Sequence, residues 1–342
     1  MRSLKVYLAI LIAGVVLPGL LFGIGVSRWL AAEMRQTVEN EARATVGRIA
    51  TDVSEHVHLV MAAMKTLARS QSLARQDLGE AYRYAVLLSA DIGQHIGLAT
   101  VDGQQLFNTR RPLGSVLPRR ADPVSYTRAL ETDRPSVSNV IVGAISGRPL
   151  VTIDVPVATR FGPRVLGTST DVATIGTVLA RTPLKPDWKA AIIDGDGRFI
   201  ARTLNPERFI GQLAVPELIA VAKGAEQEGT LRHRSHEGED LYTFFAKVPG
   251  TPWTVVIGTP EPVLFAPLNG TLALLAAAGA ATILVTLSFA VGLGVRLDAA
   301  ARRLTAGAAA MGRGEELPPL SQTIAEFEQV EEVLHDAARL SR

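Results

Sequence analysis

Five arginines crowd one stretch of the chain: Arg110, Arg111, Arg119, Arg120 and Arg128. A guanidinium offers a planar fork of N–H donors that matches a carboxylate, so this stretch reads as a candidate subsite for a small organic anion. A solvated rim of positive charge is the other reading. Three further patterns suggest chemistry and fail on context. His233-x-x-His236-Glu237 has metal-ligand residue types, but residues three apart on a strand point to opposite faces, and a solvated hairpin tip fits better. Gly195-Asp196-Gly197 lacks a phosphate-loop pattern and reads as a turn. His335-Asp336 has no ATP-binding glycine motif after it and reads as a surface histidine on a helix, not a phosphoacceptor. The chain has no cysteine, which excludes a disulfide scaffold, a thiolate metal site and a cysteine nucleophile. No nucleophile elbow or paired-carboxylate signature occurs. The expectation is therefore no catalytic residue, no metal and no cofactor. A net charge of +2 gives no strong case for a nucleic-acid partner.

Two uninterrupted apolar runs frame the elements that must position these residues. One covers Val6 to Ser27, between Lys5 and Arg28; the other covers about Leu264 to Val295, ahead of Arg296. Crossing a bilayer takes roughly 20 apolar residues at about 1.5 Å each. Residues 6–27 and 264–295 are thus expected to be transmembrane helices. The first exceeds the roughly 7–15 apolar residues of a cleaved signal core, and Pro18 is tolerated in lipid. Arg2 and Lys5 before the first run, and Arg296, Arg302, Arg303 and Arg313 after the second, place both termini in the cytoplasm. Arg28 and Arg35 oppose that bias, but long inserts translocate largely regardless of charge. The expected location is the inner cell membrane, two-pass, with the insert outside. Gly19 and Gly23 form a G-x-x-x-G pair, which fits either the ordinary small-residue content of a membrane helix or a homodimer seam.

Inside the insert, Leu30 to about Ala74 is helical. Leu30, Met34, Val38, Ala42, Val46, Ile49, Val53, Val60, Met64 and Leu67 fall at spacings that keep one face apolar. This stalk, residues 30–75, must bury its stripe on the following domains or on a partner's stalk. From residue 95 the texture changes. Ile96–Val101, the turn Asp102-Gly103 and Gln105–Thr109 form a hairpin. Ala190–Ile193, the turn 194–197 and Arg198–Arg202 repeat it. Val165-Leu166-Gly167-Thr168 likewise matches Val256-Ile257-Gly258-Thr259. Two α/β modules follow, 76–183 and 184–263, joined near 184–187. The first has a helix over Pro123–Glu131 and strands over Ser136–Val142, Pro149–Val157 and Val165–Asp171. The second has a helix over Val215–Lys223 and strands over Gly229–Arg234, Asp240–Lys247 and Trp253–Gly258. The fold class is α+β: two membrane helices around a long helix and two tandem modules.

Two segments carry a family resemblance. Arg148-Pro149-Leu150-Val151-Thr152-Ile153-Asp154-Val155-Pro156 resembles the first-module strand pair of double Cache extracytoplasmic sensors. Thr251-Pro252-Trp253-Thr254-Val255-Val256-Ile257-Gly258 resembles the closing strand of that family. The likeness spans about residues 30–265 and implies two PAS-like modules with a small ligand in the membrane-distal one. Relatives that bind amino acids carry Arg-x-Trp-Tyr, then Tyr-x-Asp, then a distal Asp. Here Tyr126 stands at the first Tyr and Asp171 near the distal Asp. Pro123 and Ser125 replace the Arg and Trp, and Ile141 and Gly143 replace the Tyr-x-Asp pair. Most of the clamp for a zwitterion is missing, so a free α-amino acid is not the expected ligand. Tyr126, Asp171, Asp154, Arg110 and Arg128 are the candidate ligand-binding residues, with a small organic anion as the first choice. Asp154 and Asp171 holding a cation, or a distal module with no ligand, are the alternatives.

After the second apolar run, Leu297–Met311, the connector Gly312–Thr323 and Ile324–Leu340 resemble a HAMP signalling linker over 296–342. The usual proline at its start is absent, the acidic signature of its second helix is reduced to Glu326, and Glu328 replaces a glycine. The whole layout resembles the input half of a bacterial histidine kinase or chemoreceptor: a dimeric membrane sensor that reports a small ligand to a cytoplasmic output. A membrane-tethered extracytoplasmic hydrolase is the alternative class.

Overall fold

The computed structural model describes residues 4–312 and residue 333. The chain divides into two compact units, Met1–Met34 with Pro267–Arg342, and Arg35–Ala266. Helix α1 runs from Leu4 to Ala68 without a break, so the first apolar run and the stalk are one element. Neither glycine nor proline interrupts it between Ser27 and Thr45. Within the second unit its apolar stripe is buried: Ala42, Val46, Ile49, Val53, Val57, Val60 and Met64 enter one core with residues of both sheets. Full burial of an Ile or Met contributes about 1.5–3 kcal/mol each, which is what fixes the helix on the sheets. Ser54 adds a polar tie, donating to the Pro249 carbonyl at 3.0 Å.

The helix expected to run on to about Ala74 ends at Ala68; Ser70 caps a separate short helix, α2 (Gln71–Arg75), and an unanticipated helix, α3 (Leu78–Ile92), follows. Asp77 caps α3 by accepting from the Glu80 N–H, and Gly93 ends it in the left-handed region. The first hairpin is β1 (His95–Ala99) and β2 (Gln105–Asn108), as expected. Helix α4 (Pro123–Thr132) starts on Asp122, whose side chain accepts from the Val124 N–H, with Pro123 in the first turn.

The strand expected over Ser136–Val142 is two short strands, β3 (Ser136–Val137) and β4 (Ile141–Val142). Between them, Ser138 still donates its N–H to the Thr152 carbonyl, but its own carbonyl, the Asn139 side chain and the Val140 N–H bond to residues of the second sheet and its turns. The strand expected over Pro149–Val157 is likewise β5 (Pro149–Val151) and β6 (Ile153–Thr159). Side chains cause that break: Thr152 N–H donates to Ser138 Oγ, and Ile153 N–H to Thr168 Oγ1. Strand β7 (Gly162–Asp171) closes the sheet, and a further unanticipated helix, α5 (Val172–Arg181), leaves it. The first sheet has the order β2-β1-β7-β5-β4, with β6 beside β7 and β3 beside β6.

The second sheet contains β8 (Lys189–Ile193), β9 (Phe199–Arg202), β10 (Glu228–Arg234), β11 (Asp240–Lys247) and β12 (Thr254–Pro260), in the order β10-β11-β12-β8-β9. Short α6 (Pro206–Phe209) and α7 (Pro216–Lys223) cover one face over a core of Ile193, Phe199, Leu218 and Phe245. The two matched segments occupy matched places: β7 pairs with the hairpin strand β1, and β12 with the hairpin strand β8.

Helix α8 spans Glu261–Gly312 and contains Ala276–Arg303, the one stretch among the described residues long and apolar enough to cross a membrane. The helix expected over Leu297–Met311 is the continuation of the same element, which runs unbroken through residue 296. The linker connector and second helix expected over 313–340 lie outside the described residues.

Candidate ligand-binding site

The first sheet carries a small cavity, about 50 Å³, over β1 and β7. Two glycines make its floor. Gly97 and Gly167 are opposite each other in the β1–β7 ladder, so no side chain rises from either strand there. What fills that space is polar. A Cβ on Gly97 would stand 3.0 Å from Asn108 Nδ2, and one on Gly167 would stand 2.5 Å from Arg120 Nη1. Asn108 is itself held, donating to Gln105 Oε1 at 2.9 Å and accepting from the Arg110 N–H at 3.0 Å. The opposite rim comes from β4 and the loop after it, including Ile141, Gly143 and Ser146.

Arg120 reaches the cavity from the loop before α4, where its N–H donates to the Gly103 carbonyl. Its Nη2 stands 2.6 Å from Asp154 Oδ1, off the line of its N–H bonds, so the contact is ionic and Oδ1 has no aligned hydrogen bond. Asp154 is fully buried, and Arg120's side chain is only 11% exposed. Thr152 donates to the other carboxylate oxygen at 3.0 Å. The guanidinium also lies 5.4 Å from the centre of the Tyr126 ring. A buried carboxylate with one paired cation is neutral as a unit, so this pair contributes shape and donors more than net charge.

Arg110 is different. Its side chain lines the same cavity and is mostly buried, but its nearest carboxylate, Asp171 Oδ2, is 4.0 Å away and partly exposed. Its Nε–H is buried and has no acceptor. Beside it, the His95 imidazole is held below its ordinary range, first by burial and then by the Arg110 charge, with Asp171 opposing. His95 is therefore neutral near neutrality, and Arg110 is the cavity arginine with only a long, partly exposed ion pair, to Asp171.

Of the five candidates, then, Arg110 alone lines the cavity. Asp154 and Tyr126 lie behind it and hold Arg120, the arginine that matters and that the shortlist left out. Asp171 stands at the edge beside Arg110. Arg128 is exposed on α4 and does not line the cavity. Ile141 and Gly143, the positions matched to the missing Tyr-x-Asp, do line it. Arg120 occupies Asp154, which leaves that carboxylate no face for a cation. Among the described residues, no group of three or more His, Cys, Asp or Glu gathers to hold a metal. The turn reading of Gly195-Asp196-Gly197 holds: Asp194 Oδ1 accepts from the Asp196 and Arg198 N–H groups, and Gly197 has a φ of +84°. His233 and His236 do not point apart, because β10 ends at Arg234 and the turn carries His236 back onto the Phe209 ring.

The segment behind the cavity rim is tied to the second sheet. Asp194 Oδ2 accepts from the Val140 N–H at 2.7 Å, Asn139 Nδ2 donates to Asp196 Oδ2 at 2.7 Å, and Trp253 Nε1 donates to the Ser138 carbonyl at 3.0 Å. Ile141 and Gly143 follow directly.

The family model dCache_1, described as a Cache domain, matches residues 27–268. Among solved structures, an extracellular domain assigned to a histidine kinase, rpHK1S-Z16, is 16% identical with a TM-score of 0.52, covering 67% of this chain and 97% of that one. The ligand-binding domain of the Pseudomonas aeruginosa PAO1 amino acid chemoreceptor PctB, in complex with L-Arg, is 17% identical with a TM-score of 0.50, covering 68% and 98%. That of the Campylobacter jejuni chemoreceptor Tlp3, in complex with L-valine, is 15% identical with a TM-score of 0.50, covering 68% and 97%. A search of curated proteins finds no match. The chain belongs to the Cache-domain family.

Proposed function

We propose that this Cache-domain chain is a membrane-anchored sensor that binds a small organic anion in the cavity over Gly97 and Gly167. The observation that carries the reading is Arg110: a mostly buried side chain whose Nε–H has no acceptor and whose one carboxylate, Asp171, is 4.0 Å away, at a cavity whose other arginine is held closely by Asp154. An unmet buried donor costs about 1–3 kcal/mol, and a carboxylate placed there removes that cost.

The domain plan is 6–27 and 264–295 as membrane helices, 30–75 as the stalk, 76–183 and 184–263 as tandem distal and proximal modules, and 296–342 as a HAMP-like linker. Both termini are cytoplasmic, and two copies pair along their helices. The apolar run in α1, the span in α8 and the flanking arginines support this plan. A ligand that closes the rim at Ile141 and Gly143 pulls on residues 138–140, which bond to Asp194 and Trp253 of the proximal module. Differential binding of a few kcal/mol between two arrangements suffices to shift such an equilibrium toward an output such as a histidine kinase. Thermal unfolding of the detergent-solubilised chain against organic acids, α-amino acids and divalent metals tests the reading. It expects organic acids to raise the midpoint; a response to amino acids or metals alone would overturn it.

A further inference from the structure

The second sheet has a cavity of its own, about 40 Å³, separate from the site above. Its floor includes Gly258, the residue matched to Gly167, and each glycine pairs with the first strand of a hairpin, Gly258 with Lys189 and Gly167 with Gly97. A Cβ on Gly258 would stand 3.0 Å from both Leu241 Cδ1 and Thr243 Oγ1. The other walls are largely apolar: Phe199, Val215, Leu218 and Val256.

Two side chains that line this cavity, Arg202 and His233, each keep a buried nitrogen with no hydrogen-bond partner. Arg202, from β9, has a side chain only 9% exposed. Its Nη2 donates to Glu237 at 2.8 Å, and its guanidinium carbon lies 4.2 Å from the centre of the Phe209 ring. Those contacts fix the plane of the group and leave Nη1 buried with no partner. His233, from β10, has Nε2 at 3.0 Å from Thr243 Oγ1. Its Nδ1 is also buried with no partner, and in the tautomer assigned to this site, with the threonine hydroxyl donating to Nε2, the ring hydrogen sits on Nδ1. The cationic charges at the cavity are paired, Lys189 with Glu239 and Arg202 with Glu237, so it offers an anion donors more than net charge.

We infer that this cavity is a second binding site, for a short aliphatic monocarboxylate. One carboxylate oxygen would accept from Arg202 Nη1 and the other from His233 Nδ1, while the alkyl end lies against Phe199, Val215 and Leu218. Two free donors match the two oxygens of a carboxylate and leave a phosphate's further oxygens without partners among apolar walls.

Equilibrium dialysis of radiolabelled propionate against the full chain in detergent tests this. Arg110→Gln, which disables the first site, is expected to keep propionate binding. Arg202→Gln and His233→Phe are each expected to weaken it about tenfold or more, as loss of a hydrogen bond to a charged group does. If Arg202→Gln does not fold, His233→Phe decides alone, since it keeps the Arg202–Glu237 pair. Inorganic phosphate should not displace propionate. The inference falls if Arg110→Gln binds no propionate, if both second-sheet variants bind it like the parent chain, or if phosphate displaces it. Loss of binding in Arg110→Gln alone would count for the first site and against the second.

Discussion

Gly167 faces Asp154 across the β6–β7 ladder, and its missing side chain is what lets Asp154 meet Arg120 over the strand. A Cβ there would collide with Asp154 Oδ1 and stand 2.5 Å from Arg120 Nη1. Asp154 sits in a packed strand and cannot retreat, so Gly167→Ala is expected to displace the ion pair. The expected cost is about 1–3 kcal/mol, as for overpacking elsewhere, with weaker ligand binding. Urea unfolding checks the first and calorimetry the second. An unchanged urea midpoint would show that the pair does not depend on the bare floor.

Removing Arg120 instead leaves a fully buried carboxylate without its cation. Arg120→Gln is expected to cost about 3–5 kcal/mol. Replacing both partners, Arg120→Met with Asp154→Leu, should recover most of that loss, since paired apolar groups of similar volume are often as stable as a buried ion pair. Urea midpoints of the two variants give the answer; equal losses would mean that the pair is not coupled.

The tie between the sheets rests on Asp194 and Val140. Asp194→Asn keeps one carbonyl oxygen for the turn N–H groups of Asp196 and Arg198 but puts an NH2 donor opposite the Val140 N–H. Hydrogen exchange over 138–142 is expected to speed up, with a stability loss of about 1–3 kcal/mol. Burial holds the Asp194 carboxyl above its ordinary value despite its three backbone donors. It thus contributes stability that is present below the ordinary carboxylate range and lost as pH rises through its raised value. The Asn variant should lack that dependence.

Three histidines set the opposite trend near neutrality. His56, His95 and His233 all lie below the ordinary imidazole range, each chiefly through burial. The nearby Arg181 adds to the shift at His56; at His233 the Arg234 backbone and Glu217 oppose it. A depressed imidazole is protonated first in the unfolded chain, so the stability it contributes is present above its ordinary value and lost as pH falls toward the folded one. The urea midpoint is expected to drop between about pH 7.5 and about pH 5.5. Exchanging all three for Gln should flatten that slope, and a midpoint that rises on acidification would contradict the assignment.

Periodicity made α1, both hairpins, α4, α7 and the strands of the second sheet legible, because each has a clear apolar stripe or a turn with a known chemistry. Helix α3 is absent from the sequence reading, although Asp77 and Glu80 form a cap pair ahead of the buried Ala81 and Ala85. Helix α5, with Val172, Ile175 and Leu179 on its buried face, followed a strand so closely that the change of period was missed. The breaks at 138–140 and Thr152 were not legible, since side chains distant in sequence take the bonds that a strand partner would. The arginine stretch was visible as a stretch, but not which members turn inward. Arg120 does so because Asp154, distant in the chain, and Tyr126 on the following helix receive it, while Arg128 falls on the outer side of α4. Gly167 was noticed only as part of a repeat; its role as floor needs the pairing with Gly97.

The account turns on Arg110. Titration calorimetry of the solubilised chain with the organic acid that stabilises it most should show binding at the first cavity. Arg110→Gln should weaken it by about tenfold or more, while Asp171→Asn, which frees Arg110 from its loose partner, should leave it equal or tighter. Undiminished affinity in Arg110→Gln would show that the ligand is held elsewhere.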